Sequence, residues 1–509
     1  MKLGDLLNGV KVIREFLGTE ELSQGTAACS VANAAKVGRI TADSRECKRG
    51  CMFIAVKGAD ADGHRFIGKA IEAGAQYVVC ENIPEDEEIA VKAGKRDELT
   101  YIVVENGREA EAKIAANYYD NPSHALKLVG VTGTNGKTSI ATLLYNMFTT
   151  LGYKCGLIST IANYIGQEKF PTINTTPGPI QLNALMDQMV AKGCQYCFME
   201  VSSHAIDQGR IAELKYRGGI FTNITHDHLD YHKTFENYRN CKKKFFDTLP
   251  ADAFALTNID DRNGEYMVQN TKAQTYTYSC GNVADFKTRI LEQSIEGMQL
   301  NINGTDVWCN FIGVYNAENL TAVYGTAMLL GAPHDEVIKI MSTLHSVAGR
   351  LEYFKGKDNV IAAVDYAHTP DALENVLKTL QALKPKGDLV CVFGCGGDRD
   401  KTKRPEMGAI AGTYATKIYV TSDNPRSEDP MAIIQDIKAG MNDEAKAKAN
   451  FIPDRLEAIR SAILTAKPES LILVAGKGHE DYQIICGVKH HMDDRETVQK
   501  AFKERENLS

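Results

Sequence analysis

The stretch LKLVGVTGTNGKTSIATLLYNMF, residues 126–148, decides the fold. It opens on an apolar run of strand length and turns on Gly133-Thr134-Asn135-Gly136-Lys137-Thr138-Ser139. It then continues with apolar residues at helical spacing. Strand, glycine loop and helix in that order are the setting of a phosphate-binding loop. Backbone N–H groups at such a turn can cradle phosphates, Lys137 can reach the terminal phosphates, and the Thr138 hydroxyl can ligand Mg²⁺. Only two residues separate Gly133 from Gly136, fewer than in GxxxxGK[ST], so spacing alone leaves open a glycine turn with an incidental lysine.

Downstream, Glu200 closes the apolar run CQYCFME, which puts a carboxylate at the carboxyl end of a strand, where open α/β sheets bind ligands. The run GGIFTNIT leads into His226-Asp227-His228-Leu-Asp230-Tyr231-His232. This density of imidazole and carboxylate suits metal or phosphate work, or a solvated loop with capping aspartates. In the last third, VIAAV, DLVCVFG, KIYVTS and SLILVAG read as strands that end in DYAH, GGDRD, DNPR and GKGHE. Between them, Leu373, Val376, Leu377 and Leu380 form one helical stripe, and the pattern is that of a doubly wound α/β domain with a crevice at its strand ends. The first hundred residues carry short strand runs, CMFIAV and AQYVVC, and read as a small separate α/β domain.

Length and composition bound the rest. A chain of 509 residues, 44% apolar and 24% charged, exceeds one core and fits about three globular domains. Its start lacks the apolar region of a signal peptide, and no apolar run approaches the length of a membrane span, so a soluble, cytoplasmic protein without membrane insertion is expected. Thirteen scattered cysteines point to reduced, buried thiols; Cys194 and Cys197 lie in a strand run, as do Cys391 and Cys395, without zinc-site spacing. A net charge of −7 offers no field for nucleic acid.

The segments GTNGKTS, MEVSSHA, TNITHDHLDYH and SDNPR resemble those of the Mur ligases, and the resemblance runs from about Asp43 to Glu480. It is nearest to the members that add the third amino acid of the wall peptide. The resemblance implies three domains: residues 1–107 for the UDP end of the substrate, 108–346 for a central P-loop ATPase and 347–509 for the incoming amino acid. It implies ATP as co-substrate and two Mg²⁺ ions. The expected reaction joins meso-2,6-diaminopimelate to the D-glutamate carboxyl of UDP-N-acetylmuramoyl-L-alanyl-D-glutamate through an acyl phosphate, in a monomeric enzyme. L-lysine as the amine, or an inactive nucleotide-binding relative, are the alternatives.

Residue by residue, the resemblance gives ATP to Gly133 through Ser139, Asn316 in GVYNAEN, Arg350 in AGRLE, Asp365 and His368. Metal binding and catalysis fall to Thr138, Glu200, His228 and Lys137. Lys242, in CKKKFF, matches a lysine carried as a carbamate formed from CO₂. Three lysines on a helix otherwise read as a solvated face. Ser44 in Asp43-Ser44-Arg45 matches the uridine region, together with Gly58-x4-Gly63-His64-x-Phe66. Asn174, Thr175, Thr176, Ser202, Gln208 and Arg210 match the muramoyl-peptide contacts. Arg399, Asp423, Asn424, Arg426, Gly476 and Glu480 match the amino-acid pocket, where an arginine suits the far carboxylate of diaminopimelate, a group lysine lacks.

Overall fold

The structure, a computed structural model, describes the chain apart from residues 19, 23–33, 59–60, 88–98, 173, 384 and 509. Its contacts divide the chain into two compact units, residues 1–130 with 152–218 and residues 131–151 with 219–509.

In the first unit, CMFIAV and AQYVVC supply the strands Cys51–Ile54 and Ala75–Cys80. These run parallel to each other, to Arg39–Thr41 and to Thr100–Val104, while Val12–Leu17 adds antiparallel to Thr100–Val104. Neighbouring residues of these strands fall into two cores. Ile54, Val79 and Ile102 pack with Ile114 of the helix Gly107–Tyr118, whereas Phe53, Val78 and Tyr101 pack with Ile67. That period-two split is what a sheet covered on both faces requires. Farther along, Tyr196–Glu200 lies parallel to Cys155–Ile158, which continues antiparallel through Asn163–Ile165 and Glu168–Phe170. Cys194 and Cys197 are buried here, and burial raises both thiols, so they pack as apolar groups.

The second unit takes up the glycine loop and the helix Lys137–Thr150, whose inner face buries Ile140, Leu144 and Phe148. Strands Gly218–Phe221, Phe254–Asn258, Gln274–Ser279, Phe286–Ser294, Gly297–Ile302 and Thr305–Cys309 follow one another in sheet order. The last three form an antiparallel meander.

The final third has the sheet order Glu352–Lys355, Ile361–Asp365, Leu471–Ala475, Leu389–Phe393, Lys417–Val420 and Ala449–Phe451, and only the first strand is antiparallel. One face buries Cys391, Phe393, Ile418, Val420 and Leu473 against the stripe Leu373, Val376, Leu377 and Leu380 of the helix Pro370–Ala382. The other buries Val390, Val392, Ile472 and Val474 against Ile459 and Ile463 of Arg455–Leu464 and Val498 of Asp494–Asn507. This is the doubly wound α/β arrangement read from the sequence. Among the described residues no helix is long and apolar enough to cross a membrane.

One buried ion pair ties this layer together. Arg455 and Asp494 are both fully buried; Arg455 donates through Nε and Nη2 to Asp494 at 2.7 Å each. Its remaining donors reach the carbonyls of Ser422 at 3.3 Å and Ala475 at 2.9 Å, the last residues before two of the polar strand-end clusters. Asp494→Asn leaves a buried guanidinium unmatched and should lower the unfolding free energy of this region by about 3–5 kcal/mol in denaturant melts. A loss within about 0.5 kcal/mol, the range of ordinary surface substitutions, would show that the pair does not hold the layer.

Candidate functional site

The glycine loop is shaped by close backbone approach. Gly133 has φ +154° and a Cβ there would lie 1.8 Å from Thr222 Oγ1; Gly136 has φ +87° and its Cβ would lie 2.6 Å from Asn319 Oδ1. Only glycine fits either position. The loop is pinned by the strand beside it: Thr134 N–H donates to Asn223 O at 2.8 Å, Asn135 N–H to Asn223 Oδ1 at 2.9 Å, and Thr222 Oγ1 to Asn135 O at 2.6 Å. Lys137 folds over the loop and donates to the carbonyls of Gly133 at 2.9 Å and Thr134 at 2.8 Å. Thr138 and Ser139 are buried in the first helical turn, where the free N–H groups and the helix dipole favour an anion.

Three lysines on one helix separate by burial. In Phe235–Asp247, Lys242 and Lys243 are buried and Lys244 is exposed; Lys243 pairs with Asp247 at 2.5 Å. Lys242 Nζ donates to Gly133 O at 2.8 Å and lies over the Tyr238 ring at 4.8 Å. Burial, and then the charge of Lys137, push its ammonium well below the usual lysine range. A neutral amine is the form that can take up CO₂. His228 Nε2 is 3.4 Å from Asp227 Oδ2; against the upward push of burial, His228 and then His368 hold the Asp227 carboxyl below its usual range, and His228 holds a left-handed backbone at φ 54°.

Arg350 reaches back to the loop: its Nη2 donates to Thr138 Oγ1 at 3.1 Å, its guanidinium stacks on Tyr366 at 4.4 Å, and its buried Nε has no acceptor among the described residues. An orphaned guanidinium N–H beside a phosphate-type loop fits an anionic ligand. Asp365 spends both oxygens on backbone, accepting from Leu351 N–H at 2.7 Å and Ala367 N–H at 2.8 Å, so it fixes the Arg350 segment. His368 Nδ1 is 2.8 Å from Tyr366 O, and Asn316 Nδ2 donates to Ile312 O at 2.9 Å. Asn319, three residues along the same helix and packed on Gly136, was not singled out by sequence; the repeat in NAEN was its signal.

At the neighbouring strand ends, Arg426 sits at φ 53°, a left-handed position that costs a non-glycine residue energy. It is held there by pairing with the hairpin Tyr482–Ile485/Val488–His491: Arg426 N–H donates to Ile484 O at 3.0 Å and Cys486 N–H to Arg426 O at 2.7 Å. Its Nη1 donates to Gly397 O at 2.7 Å, and Arg399, more exposed, donates to Asp398 O at 3.1 Å. Glu480 accepts from Asn424 Nδ2 at 3.0 Å, Tyr366 Oη at 3.2 Å and Lys477 Nζ at 3.3 Å. Asp423 is buried; its Oδ1 accepts no hydrogen bond among the described residues and is ion-paired with Lys477 Nζ 3.7 Å away. Gly476 has φ +119°, and a Cβ there would lie 3.3 Å from Asp423 Oδ2. Lys477, fully buried within GKGHE, and Tyr366 were also missed by sequence reading.

In the first unit, Glu200 is buried and accepts from Thr160 N–H at 2.7 Å and Thr160 Oγ1 at 3.2 Å. Thr175 Oγ1 accepts from Thr160, and Thr176 Oγ1 donates to Glu200 O at 2.8 Å and accepts from Ser202 N–H at 3.1 Å. Arg210 donates to Thr176 O at 2.9 Å and through two nitrogens to Gln208 Oε1. Asn174 is exposed beside this cluster. Ser44 follows Asp43, which clamps Arg45. His64 has both ring nitrogens engaged, at Asp62 Oδ1 (2.6 Å) and at the N–H of Glu81 (2.9 Å); residues 59–60 of that motif lie outside the described residues.

The parts define a class: an α/β protein with a glycine loop between strand and helix, a buried lysine beneath it and a charged cluster at the strand ends of a second, mainly parallel sheet. The sequence matches the Mur ligase middle domain over residues 131–327, the Mur ligase glutamate ligase domain over 349–478 and the Mur ligase family catalytic domain over 36–119. It is 51% identical to the UDP-N-acetylmuramoyl-L-alanyl-D-glutamate–2,6-diaminopimelate ligase of Phocaeicola vulgatus, covering 99% of both chains. It is 52% identical to the Bacteroides thetaiotaomicron protein of the same name, covering 91% of this chain and 95% of that one. A solved structure of a ligase of that name superimposes with a TM-score of 0.66 at 29% identity, covering 97% of this chain and 99% of the other. The chain belongs to the Mur ligase family.

One electrostatic feature of the first unit gives a pH test. Burial pushes the Glu111 carboxyl up from 4.5 to about 7, against the pull of Arg210 and then Arg108. Folding therefore tightens proton binding, so the stability this group contributes is full below about pH 4.5 and is lost as pH rises through about 7. Glu111→Gln should flatten that decline in denaturant melts run across this range. An unchanged slope would remove Glu111 as its source.

Proposed function

We propose that this chain is an ATP-dependent ligase joining meso-2,6-diaminopimelate to the D-glutamate carboxyl of UDP-N-acetylmuramoyl-L-alanyl-D-glutamate, acting in the cytoplasm as a monomer. The observation that carries the choice of amine is Arg426, held in a strained backbone by the hairpin and facing the Asp423–Glu480 cluster. A guanidinium there offers the far carboxylate of diaminopimelate a paired contact, and Glu480 with Asp423 offers its ammonium one. Lysine would leave the guanidinium unmatched. The relatives' printed activity supports the same reading.

In this reading a carboxylate oxygen of D-glutamate attacks the γ-phosphorus of ATP, ADP leaves, and an acyl phosphate forms. The unprotonated amine then attacks the acyl carbon and phosphate departs as the amide forms. Phosphoryl transfer of this kind depends on positioning and charge neutralisation. Gly133 to Ser139 and Lys137 hold the phosphates, Arg350 supplies its free N–H to the transferring group, and Asn316, Asp365 and His368 shape the nucleotide site. Thr138, Glu200, His228 and Lys242 as a carbamate are assigned to Mg²⁺; the hydroxyl, carboxylate and carbamate oxygens among them suit a hard cation. Bound there, Mg²⁺ would neutralise phosphate charge. Ser44, Asn174, Thr175, Thr176, Ser202, Gln208 and Arg210 are assigned to the UDP-muramoyl dipeptide, and Arg399, Asn424 and Gly476 complete the amino-acid pocket. We assign these tasks to residues 1–107, 108–346 and 347–509 as three domains.

Phosphate release with ATP, Mg²⁺ and the muramoyl dipeptide should need meso-diaminopimelate, with L-lysine near the no-amine blank. Arg426→Ala should raise the KM for diaminopimelate by about 30-fold, as loss of a charge-assisted contact implies. Release with lysine equal to that with diaminopimelate would cancel the role of Arg426, and no release with any amine would cancel the ligase reading. Lys242→Arg, which cannot form a carbamate, should cut turnover by at least about 100-fold, the size of a lost transition-state contact. Turnover within a few-fold of the parent would rule the carbamate out.

A further inference from the structure

Two segments given to different ligands are pressed together backbone to backbone. A Cβ on Gly349 would lie 2.1 Å from His479 N and 2.3 Å from Gly478 C, and one on Gly478 would lie 2.6 Å from Gly349 O. Gly349 precedes Arg350, which donates to Thr138 of the phosphate loop at 3.1 Å. Gly478 lies two residues before Glu480 of the amino-acid pocket. Tyr366 fills the angle between them: a Cβ on Gly478 would meet its Cβ at 2.8 Å, its ring carries the Arg350 guanidinium at 4.4 Å, and its hydroxyl donates to Glu480 Oε1 at 3.2 Å. The ring also leans on His368 and His479, with centroids 4.7 and 5.2 Å away.

We propose that Tyr366 is a positioning residue that couples the nucleotide loop to the amino-acid pocket, its ring orienting Arg350 and its hydroxyl orienting Glu480. The inference rests on the ligase reading above. The two ends of the side chain serve different ligands, so they can be removed separately. A guanidinium stacked on an aromatic face keeps its orientation without using its N–H donors, which leaves the buried Nε for a phosphate oxygen. The hydroxyl is one of three donors on Glu480 and comes from a different strand end than Asn424 and Lys477, so it fixes the direction in which the carboxylate faces. Because a coupling between two bound ligands is reciprocal, nucleotide should tighten amino-acid binding by the same factor as the reverse.

Tyr366→Phe keeps the ring and removes only the hydroxyl. It should raise the KM for meso-diaminopimelate about tenfold, the lower end of what a hydrogen bond to a charged group is worth, and leave the KM for ATP within about twofold. Tyr366→Leu should raise both. By calorimetry, a non-hydrolysable β,γ-imido analogue of ATP, which keeps the γ-phosphate, should bind Tyr366→Phe as it binds the parent and bind Tyr366→Leu more weakly. A phenylalanine variant that moves neither KM, or moves both equally, overturns the proposal. If the parent turns over no amine at all, the ligase reading fails. The calorimetry then decides the ring's role alone: equal affinity for the β,γ-imido ATP analogue in the leucine and phenylalanine variants overturns it.

Discussion

The closeness of two strand ends governs the glycine loop. Thr222 stands so near Gly133 that no side chain is possible there, and the same threonine turns its hydroxyl onto Asn135 O. With the loop clamped on Asn223, the carbonyl of Gly133 points where both Lys137 and Lys242 donate to it. Two ammonium groups on one carbonyl in a buried setting repel, and Lys242, the more enclosed, is the one driven toward neutrality. A backbone constraint thus becomes a statement about protonation, and protonation decides what chemistry the lysine can enter.

The buried cations of the chain fall into two kinds. Arg455 has a full carboxylate partner and two carbonyls, and Arg404, also fully buried, meets Glu428 and Asp436 at 2.9 Å. Such pairs fix geometry and resist change, because removing either member strands a charge. Lys242 and Lys477 differ. Lys242 has carbonyl and aromatic contacts, and Lys477 shares two carboxylates and an amide from two segments, Asp423-Asn424 and its own Glu480, without a single dedicated partner. Ions held by shared partners sit where ligands are proposed, and ions held by dedicated partners sit beneath, under the strand ends that present them.

Much of this was legible in the sequence, for physical reasons. The glycine loop reads because only glycine tolerates its backbone, and the strands of the last third read because burial on both faces demands near-continuous apolar runs. Their polar endings marked the crevice without structure. Lys242 was picked from its neighbours only by the family resemblance; residue type alone reads all three lysines as a solvated face, since the distinction is one of burial, and the carbonyl that Lys242 meets lies over a hundred residues away. Tyr366 and Lys477 stayed hidden because each sits beside a residue with an obvious motif role, and a tyrosine or lysine next to such a residue carries no signal of its own. Arg426 was legible as a residue and not as a conformation: nothing in DNPR announces a left-handed arginine that depends on a hairpin some sixty residues later.

That hairpin explains why the pocket is built from pieces so distant in sequence. Parallel strands deliver their carboxyl ends to one edge, but each delivers only a short turn, and a turn alone does not hold an arginine at φ 53°. Ile484 and Cys486 supply the backbone partners that make the conformation affordable, while Gln483 donates to Asp423 O at 2.6 Å and the Ile484 N–H to Asn424 Oδ1 at 2.9 Å. One strand of the hairpin thus fixes Asp423, Asn424 and Arg426 together, as an added strand fixes a sheet edge. The same chain has just passed through Lys477 and Glu480, so a single segment, residues 476–486, sets both the acidic and the basic side of the crevice. A change in that segment would therefore act on the two sides at once, and the charge pattern of the pocket is specified as a unit.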